Sequence, residues 1–316
     1  MSLVYLDKYK THVRNVLTKT NFPMTTHTNI DFTPEQGLAF TIKNNQISIA
    51  KEYRCYENRN SSIHKLLQDT ASVYNLPDIS FFVEVGDNCK RSKTIKMGFS
   101  ATRECIDTIM FPSFLFDHWT STGLTSYKDL CVSMAEKNAT TEYDSRINKL
   151  LWAGALSCHT DRSWFNKTFG KHPNIDFRCM SWQGPVPKDN ERFTRKSSSF
   201  IPISGYSDYK YALDIQGCGF SARVAGLLQT GALLCFLERG FVNEFYMDDF
   251  IPGEDYILLK KNTIQQDVTN LFLDENMAKN KGIARNGYNK ARDLLHYDNI
   301  LFNIKNVLDD VHLHRG

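Results

Sequence analysis

The segment Gln216-Gly217-Cys218-Gly219-Phe220-Ser221-Ala222-Arg223 holds residues suited to gripping an anion. The apolar run Tyr211 to Ile215 precedes it and a helix-favouring run, Ser221 to Leu228, follows, so it reads as strand, turn and helix. Glycines let backbone N–H groups approach an anion with no Cβ in the way. The helix would add its unpaired N–H groups and the positive end of its dipole. Ser221 can cap that helix or donate to a phosphate oxygen, and Arg223 can give a bidentate contact to a diphosphate. The alternative is a tight turn with a surface arginine. It is no Walker loop, since no Gly-Lys-Ser/Thr follows. It is no complete dinucleotide fingerprint either, because Ala222 stands where the third glycine belongs.

Two other segments carry polar groups at strand ends. Asp87 follows Glu84-Val85-Gly86, at the carboxyl end of a strand, where open α/β sheets place ligands. A turn or a helix cap also accounts for an aspartate there. The run Trp152 to Arg162 has Gly154 at a strand end and Arg162 beyond the following loop. Arg162 can reach a ligand, or pair with Asp161 or Asp144 on the surface. Cys158 and His159 are neighbours in sequence, which does not make a nucleophile and its base. The chain has no HExxH, no CxxC pair, no calcium loop and no Asp-x-Asp, so no metal site is expected. Asp248 and Asp249 are adjacent, so their side chains diverge, and they are expected to face solvent.

The elements that must position these groups alternate between helix and strand. Helices are expected at 3–18, 62–74, 126–137, 221–228, 265–273, 276–295 and 299–312. Ser61 or Ser62 should cap the second of these. Strands are expected within 37–50 and at 79–85, 150–155, 211–215, 232–237 and 255–260, with a further apolar segment at 110–116. Residues 166–208 read as polar loops around short elements. Phe81, Phe82, Phe111, Phe114 and Phe116 read mainly as core. The apolar run Ala232 to Leu237 suits a parallel strand buried on both faces, and strand–helix–strand order implies a right-handed crossover. The expectation is an α/β fold of two units across a cleft, residues 1–138 and 139–298, with helix 299–316 packing back on the first.

Composition fits this. The 316 residues suit two domains, and 41% hydrophobic and 23% charged residues are globular values. A formal net charge of +3 suits an anionic small ligand but falls short of a nucleic-acid binder. The opening residues have no signal-peptide run, and no stretch nears the roughly 20 apolar residues of a membrane span. Eight scattered cysteines then read as reduced thiols in a cytoplasmic protein. The sequons at Asn60, Asn138 and Asn166 would stay unmodified there.

In order and spacing, these segments resemble glycosyltransferase family 90, which includes Rumi-type protein O-glucosyltransferases and fungal capsule xylosyltransferases. Leu76-Pro77-Asp78, a strand and Asp87 look like the family's LPD-strand-Asp segment. Phe99-Ser100-x-Thr102, Asp107-x-Ile109-Met110-Phe111-Pro112-x-Phe114 and Thr122-Gly123-Leu124 are similar to the segments after it. Trp152 to Arg162 resembles a strand-Arg-Gly-Ser-loop-Arg motif. Lys210-Tyr211, Gly217, Ser221 and Arg223 resemble KY-strand-G-x-x-x-S-x-R. Phe245-Tyr246, Pro252 and Tyr256 fit the segment that follows. The departures are Ala153-Gly154-Ala155 for Arg-Gly-Ser, and Gly253 for a tryptophan.

The resemblance implies a GT-B fold of two Rossmann-like domains. It implies inverting, metal-independent and cofactor-free transfer of xylose or glucose from a UDP-sugar to a hydroxyl of a glycan or protein acceptor. By position, Asp87 matches the catalytic base. Arg162, Gly217, Cys218, Gly219, Phe220, Ser221, Ala222 and Arg223 match nucleotide-binding positions, and Gly154, Ala155 and Thr120 match other donor contacts. Two rival readings are a non-catalytic sugar-nucleotide or glycan-binding relative and a nicotinamide-dependent oxidoreductase.

Overall fold

The structure is a computed structural model that describes residues 3, 6–19, 23–26, 36–54, 58–87, 93–101, 107–180, 200–240 and 244–315. Thr102 and the 181–199 part of the polar segment lie outside the described residues. In chain order the first elements are α1 (Asp7–Lys19), β1 (Gly37–Lys43), β2 (Gln46–Glu52), α2 (Arg59–Val73), β3 (Ile79–Glu84), β4 (Lys96–Gly98) and β5 (Thr108–Met110). Next come α3 (Tyr127–Thr140), β6 (Ile147–Ala155), α4 (Thr160–Phe169), β7 (Ile175–Met180), β8 (Tyr209–Asp214) and α5 (Val224–Gln229). The last are β9 (Leu233–Leu237), β10 (Ile257–Leu259), α6 (Ile264–Leu271), α7 (Met277–Leu294) and α8 (Tyr297–Arg315). Among the described residues the fold is mixed α/β with two five-stranded sheets. Among the described residues no helix is long and apolar enough to cross a membrane.

The chain divides into two compact units. The first comprises residues 1–118, 241–249 and 294–316, and the second 119–240 and 250–293. The expected boundary at 138 falls inside α3, which belongs to the second unit. The reason is packing: Tyr127 accepts from the Gln229 amide through its hydroxyl, and Leu130 lies against Gly226 of α5. Helix α8, which contains 299–315, belongs to the first unit, where it packs on α1 and α2.

In the first unit the strand order is β2-β1-β3-β4-β5, antiparallel as far as β3 and parallel beyond it. Asn44 and Asn45 both take positive φ, 50° and 59°, which turns β1 into β2 in two residues and matches strand twist. Helix α2 begins at Arg59, before the expected cap. Ser61 and Ser62 lie inside its first turn, and Asn58 holds the cap position without a side-chain capping bond. Phe81, Phe82, Phe111, Phe114 and Phe116 are buried as expected.

In the second unit all five strands are parallel, in the order β10-β9-β8-β6-β7. Read from the other edge this is the doubly wound order 2-1-3-4-5. Every residue of β8 and of β9 is buried, as a sheet covered on both faces requires. Strand β7 emerges from the polar segment as the edge strand. Helix α5 has only six residues and starts at Val224. The expected start at Ser221 fails because Ser221 and Arg223 turn their side chains toward Asp214, and the Val224 N–H closes a tight turn on Ser221 O at 3.2 Å.

Candidate functional site

In an open parallel sheet, ligands bind where the strand order reverses, outside the carboxyl ends of the strands. Here the reversal lies between β6 and β8. Strand β6 ends at Ala155 and β8 at Asp214, so two segments far apart in sequence, 152–162 and 214–223, meet at that point. The meeting is physical. Arg162 donates from Nη1 to Ala155 O at 2.9 Å, from Nε to Gln216 O at 2.9 Å and from Nη2 to Ile215 O at 3.2 Å. It ties the end of β6 to the turn after β8.

Arg162 is therefore buried, and the surface pairing considered from sequence is not what forms. Asp161 pairs with Lys261 at 2.8 Å and Asp144 with Lys281 at 2.6 Å. Burial, and then the nearby Arg223 charge, push the Arg162 pKa below the usual arginine range. His159 has a structural role: its Nδ1 accepts the Asp161 N–H at 3.2 Å and caps α4, and its Nε2 lies 2.6 Å from Gln216 Nε2.

Asp214 organises the other half and escaped sequence reasoning. Its side chain is wholly out of water. Oδ1 accepts from Ser221 Oγ at 2.6 Å and from Arg223 Nε at 3.0 Å. Arg223 also donates from Nη1 to Ala153 O at 2.6 Å, across to β6. Burial works against the Arg223 charge, but Tyr206 and Asp214 outweigh it and raise its pKa. The available signal was the single acid closing the apolar run Tyr211-Ala212-Leu213-Asp214. The expected open fork on Arg223 is thus partly closed, with Nη2 left without a hydrogen-bond partner. The expected dipole contribution shrinks as well, since α5 is short.

Trp152 forms the shared floor. Both guanidinium groups lie near its ring, Arg162 at 5.5 Å and Arg223 at 5.6 Å, and Phe177 stacks against it at 4.2 Å. Gly154 is required by this ring: a Cβ would come within 2.8 Å of it. At Gly217 a Cβ would meet Phe220 O at 3.1 Å and Arg162 Nη2 at 3.6 Å. Its φ is not positive, so the constraint there is a tight contact with Phe220 O rather than a left-handed backbone. In the turn, Cys218 is exposed, Gly217 half-buried, and Gly219, Phe220, Ser221 and Ala222 are buried. Thr120 is exposed at the start of a 3-10 turn, Thr120–Thr122, in the same unit.

Asp87 lies in the first unit, just past β3. Arg59 Nη2 donates to its Oδ1 at 2.8 Å, and Arg59 Nη1 donates to Val85 O at 2.7 Å. The Arg59 guanidinium lies over the Phe114 ring at 4.9 Å. Asp87 keeps 36% of its side chain exposed, so it remains open to a reacting group. The other acid of the LPD segment is structural: Asp78 accepts the Asn44 N–H at 2.8 Å and holds the β1–β2 turn. Asp248 is exposed and Asp249 half-buried.

A five-stranded parallel sheet, with two buried arginines gathered at the point where its strand order reverses, defines an α/β protein. The model of glycosyl transferase family 90 matches residues 13–310, nearly the whole chain, and the chain belongs to that family. It is a glycosyltransferase, with a sugar donor and an acceptor as substrates. No curated protein matches the chain.

Proposed function

We propose that this glycosyltransferase moves xylose or glucose from a UDP-sugar to a hydroxyl of a glycan or protein acceptor, with inversion and without a metal, on a GT-B type fold. The observation that supports this best is the convergence of Arg162, Arg223 and the Gly217 turn at the ends of β6 and β8. Gly154, Ala155, Cys218, Gly219, Phe220, Ser221, Ala222 and Thr120 complete the proposed donor contacts.

Asp87 takes the proton of the acceptor hydroxyl as that oxygen attacks the anomeric carbon from the face opposite UDP. The bond from the anomeric carbon to the diphosphate oxygen breaks, and UDP leaves with the negative charge. Arg223, Arg162 and the N–H groups of 218–222 meet that charge, held in place beforehand by Asp214 and the strand-end carbonyls. General-base help of this kind contributes roughly 10²–10⁴-fold.

A thermal-shift panel of UDP-sugars against NAD(P), followed by UDP release with acceptor present, tests the proposal. Stabilisation by UDP-xylose or UDP-glucose and by neither nicotinamide nucleotide is the expected result. No response to any UDP-sugar would overturn it. Family membership sets the oxidoreductase reading aside. The reading as a non-catalytic binder keeps one observation in its favour: Ala153 and Ala155 offer neither charge nor hydroxyl, and Arg162 directs Nε, Nη1 and Nη2 to carbonyls. Binding without UDP release would favour that reading.

A further inference from the structure

Arg239 follows β9 by two residues, at the same sheet edge as the Gly217 turn. Its guanidinium lies over the Phe236 ring at 5.0 Å, and only 12% of the side chain is exposed. Its ionic neighbour is Asp214, whose Oδ2 is 3.9 Å from Nη1, too far for a hydrogen bond. Three buried polar atoms around this point have no hydrogen-bond partner: Arg239 Nη1, Arg223 Nη2 and Asp214 Oδ2. Buried donors and acceptors left unmet cost free energy. Here two of them are on cations and the third is on the carboxylate that the cations flank. With Arg162 close by, positive charge exceeds negative in a region nearly closed to water.

We propose that Arg239 is a donor-binding residue that, with Arg223, grips the two phosphates of a nucleoside diphosphate. This rests on the donor site proposed above and adds a residue to it. Arg223 reaches the site from the turn after β8, and Arg239 from the end of β9. Two cations carried by separate segments, after β8 and after β9, suit two linked phosphates better than one. Asp214 lies near Arg239 through a contact that is too long for a hydrogen bond and can give way to a phosphate oxygen.

The test is calorimetric titration of UDP and UMP into the full chain and its R239M and R239K variants, with a melting curve for each. R239M should weaken UDP binding about 10- to 100-fold, the scale of a lost charge-assisted contact, and UMP binding less than about threefold. R239K, which restores the charge without the planar fork, should recover part of the loss. Should R239M melt poorly, R239K against wild type carries the same UDP-to-UMP comparison. Unchanged UDP affinity in a folded R239M would overturn the proposal and leave the donor site standing. So would equal losses for UDP and UMP, which is what a purely structural role gives. A wild-type chain that melts cooperatively yet binds neither UDP nor UDP-sugars would overturn the donor-site reading itself, and this proposal with it.

Discussion

Arg223 donates from Nε to Asp214 Oδ1 at 3.0 Å, and the Asp214 side chain is wholly removed from water. Breaking a buried pair from one side strands the other charge, at about 3–5 kcal/mol. Arg223→Ala should therefore weaken UDP binding and lower the melting temperature together. The double variant Arg223→Met, Asp214→Leu should recover much of the melting temperature, since matched apolar groups can replace a buried pair. It should not recover UDP affinity. Calorimetry and melting curves on the three chains check this. An unchanged dissociation constant in Arg223→Ala would remove that arginine from the phosphate site.

Cys218 is exposed in the turn at Gly217, while Cys131 and Cys235 are buried. Burial pushes the Cys131 thiol up to about 12 and raises that of Cys235 further, so neither offers thiolate at neutral pH. Iodoacetamide at pH 7.5 should label Cys218 in the native chain and spare the other two. Saturating UDP should slow Cys218 labelling at least about fivefold by covering the turn. Peptide mass spectrometry reads both results. Equal labelling with and without UDP would place the nucleotide elsewhere.

His12 lies in α1, with Nε2 at 3.2 Å from Thr108 O. Burial lowers its pKa, against smaller opposing effects of the Thr108 carbonyl and Asp248. The unfolded chain then binds a proton more readily than the folded one. Stability from this residue is complete above the unfolded value of about 6.5 and declines as pH falls below it. The melting temperature should drop between pH 6.5 and 5. In His12→Gln that drop should be smaller, even if the variant starts lower at pH 7.5. Melting curves across this range decide it; parallel profiles would clear His12.

Much of the fold was legible because burial on both faces leaves a plain mark. The runs Tyr211 to Leu213 and Ala232 to Leu237 are almost wholly apolar, and both became central strands. Strand β7 was not legible, since at the sheet edge Ile175 is buried while Asp176, Phe177 and Arg178 are only half-covered, so no apolar pattern forms. Strand β4 was hidden by Lys96, which reads as solvent-facing but is buried against Glu84 at 2.9 Å. At the site, Arg162, the Gly217 turn and Arg223 stood out by type and position. Asp214 and Arg239 did not, because their significance lies in what surrounds them once β8 and β9 pair. The inward turn of Arg223 has the same cause: its partner carbonyl, on Ala153, lies 70 residues away in sequence.

Asp87 and Arg59 give the sharpest test of the catalytic proposal. Asp87→Asn keeps the shape and an acceptor oxygen for Arg59 but cannot take a proton. It should lower kcat by roughly 10²–10⁴-fold while leaving the UDP dissociation constant within about twofold. Arg59→Met keeps the carboxylate and removes the guanidinium that bridges it to Val85 O. The loss there is of orientation, so kcat should fall by up to about 10²-fold, the scale at which a misplaced group slows a positioned reaction, and by less than in Asp87→Asn. Arg59→Lys restores a charge without the two-pronged reach and should not recover full activity. Initial-rate measurements of UDP release across the three variants separate the roles. Full activity in Asp87→Asn would exclude it as the base, whatever Arg59 does.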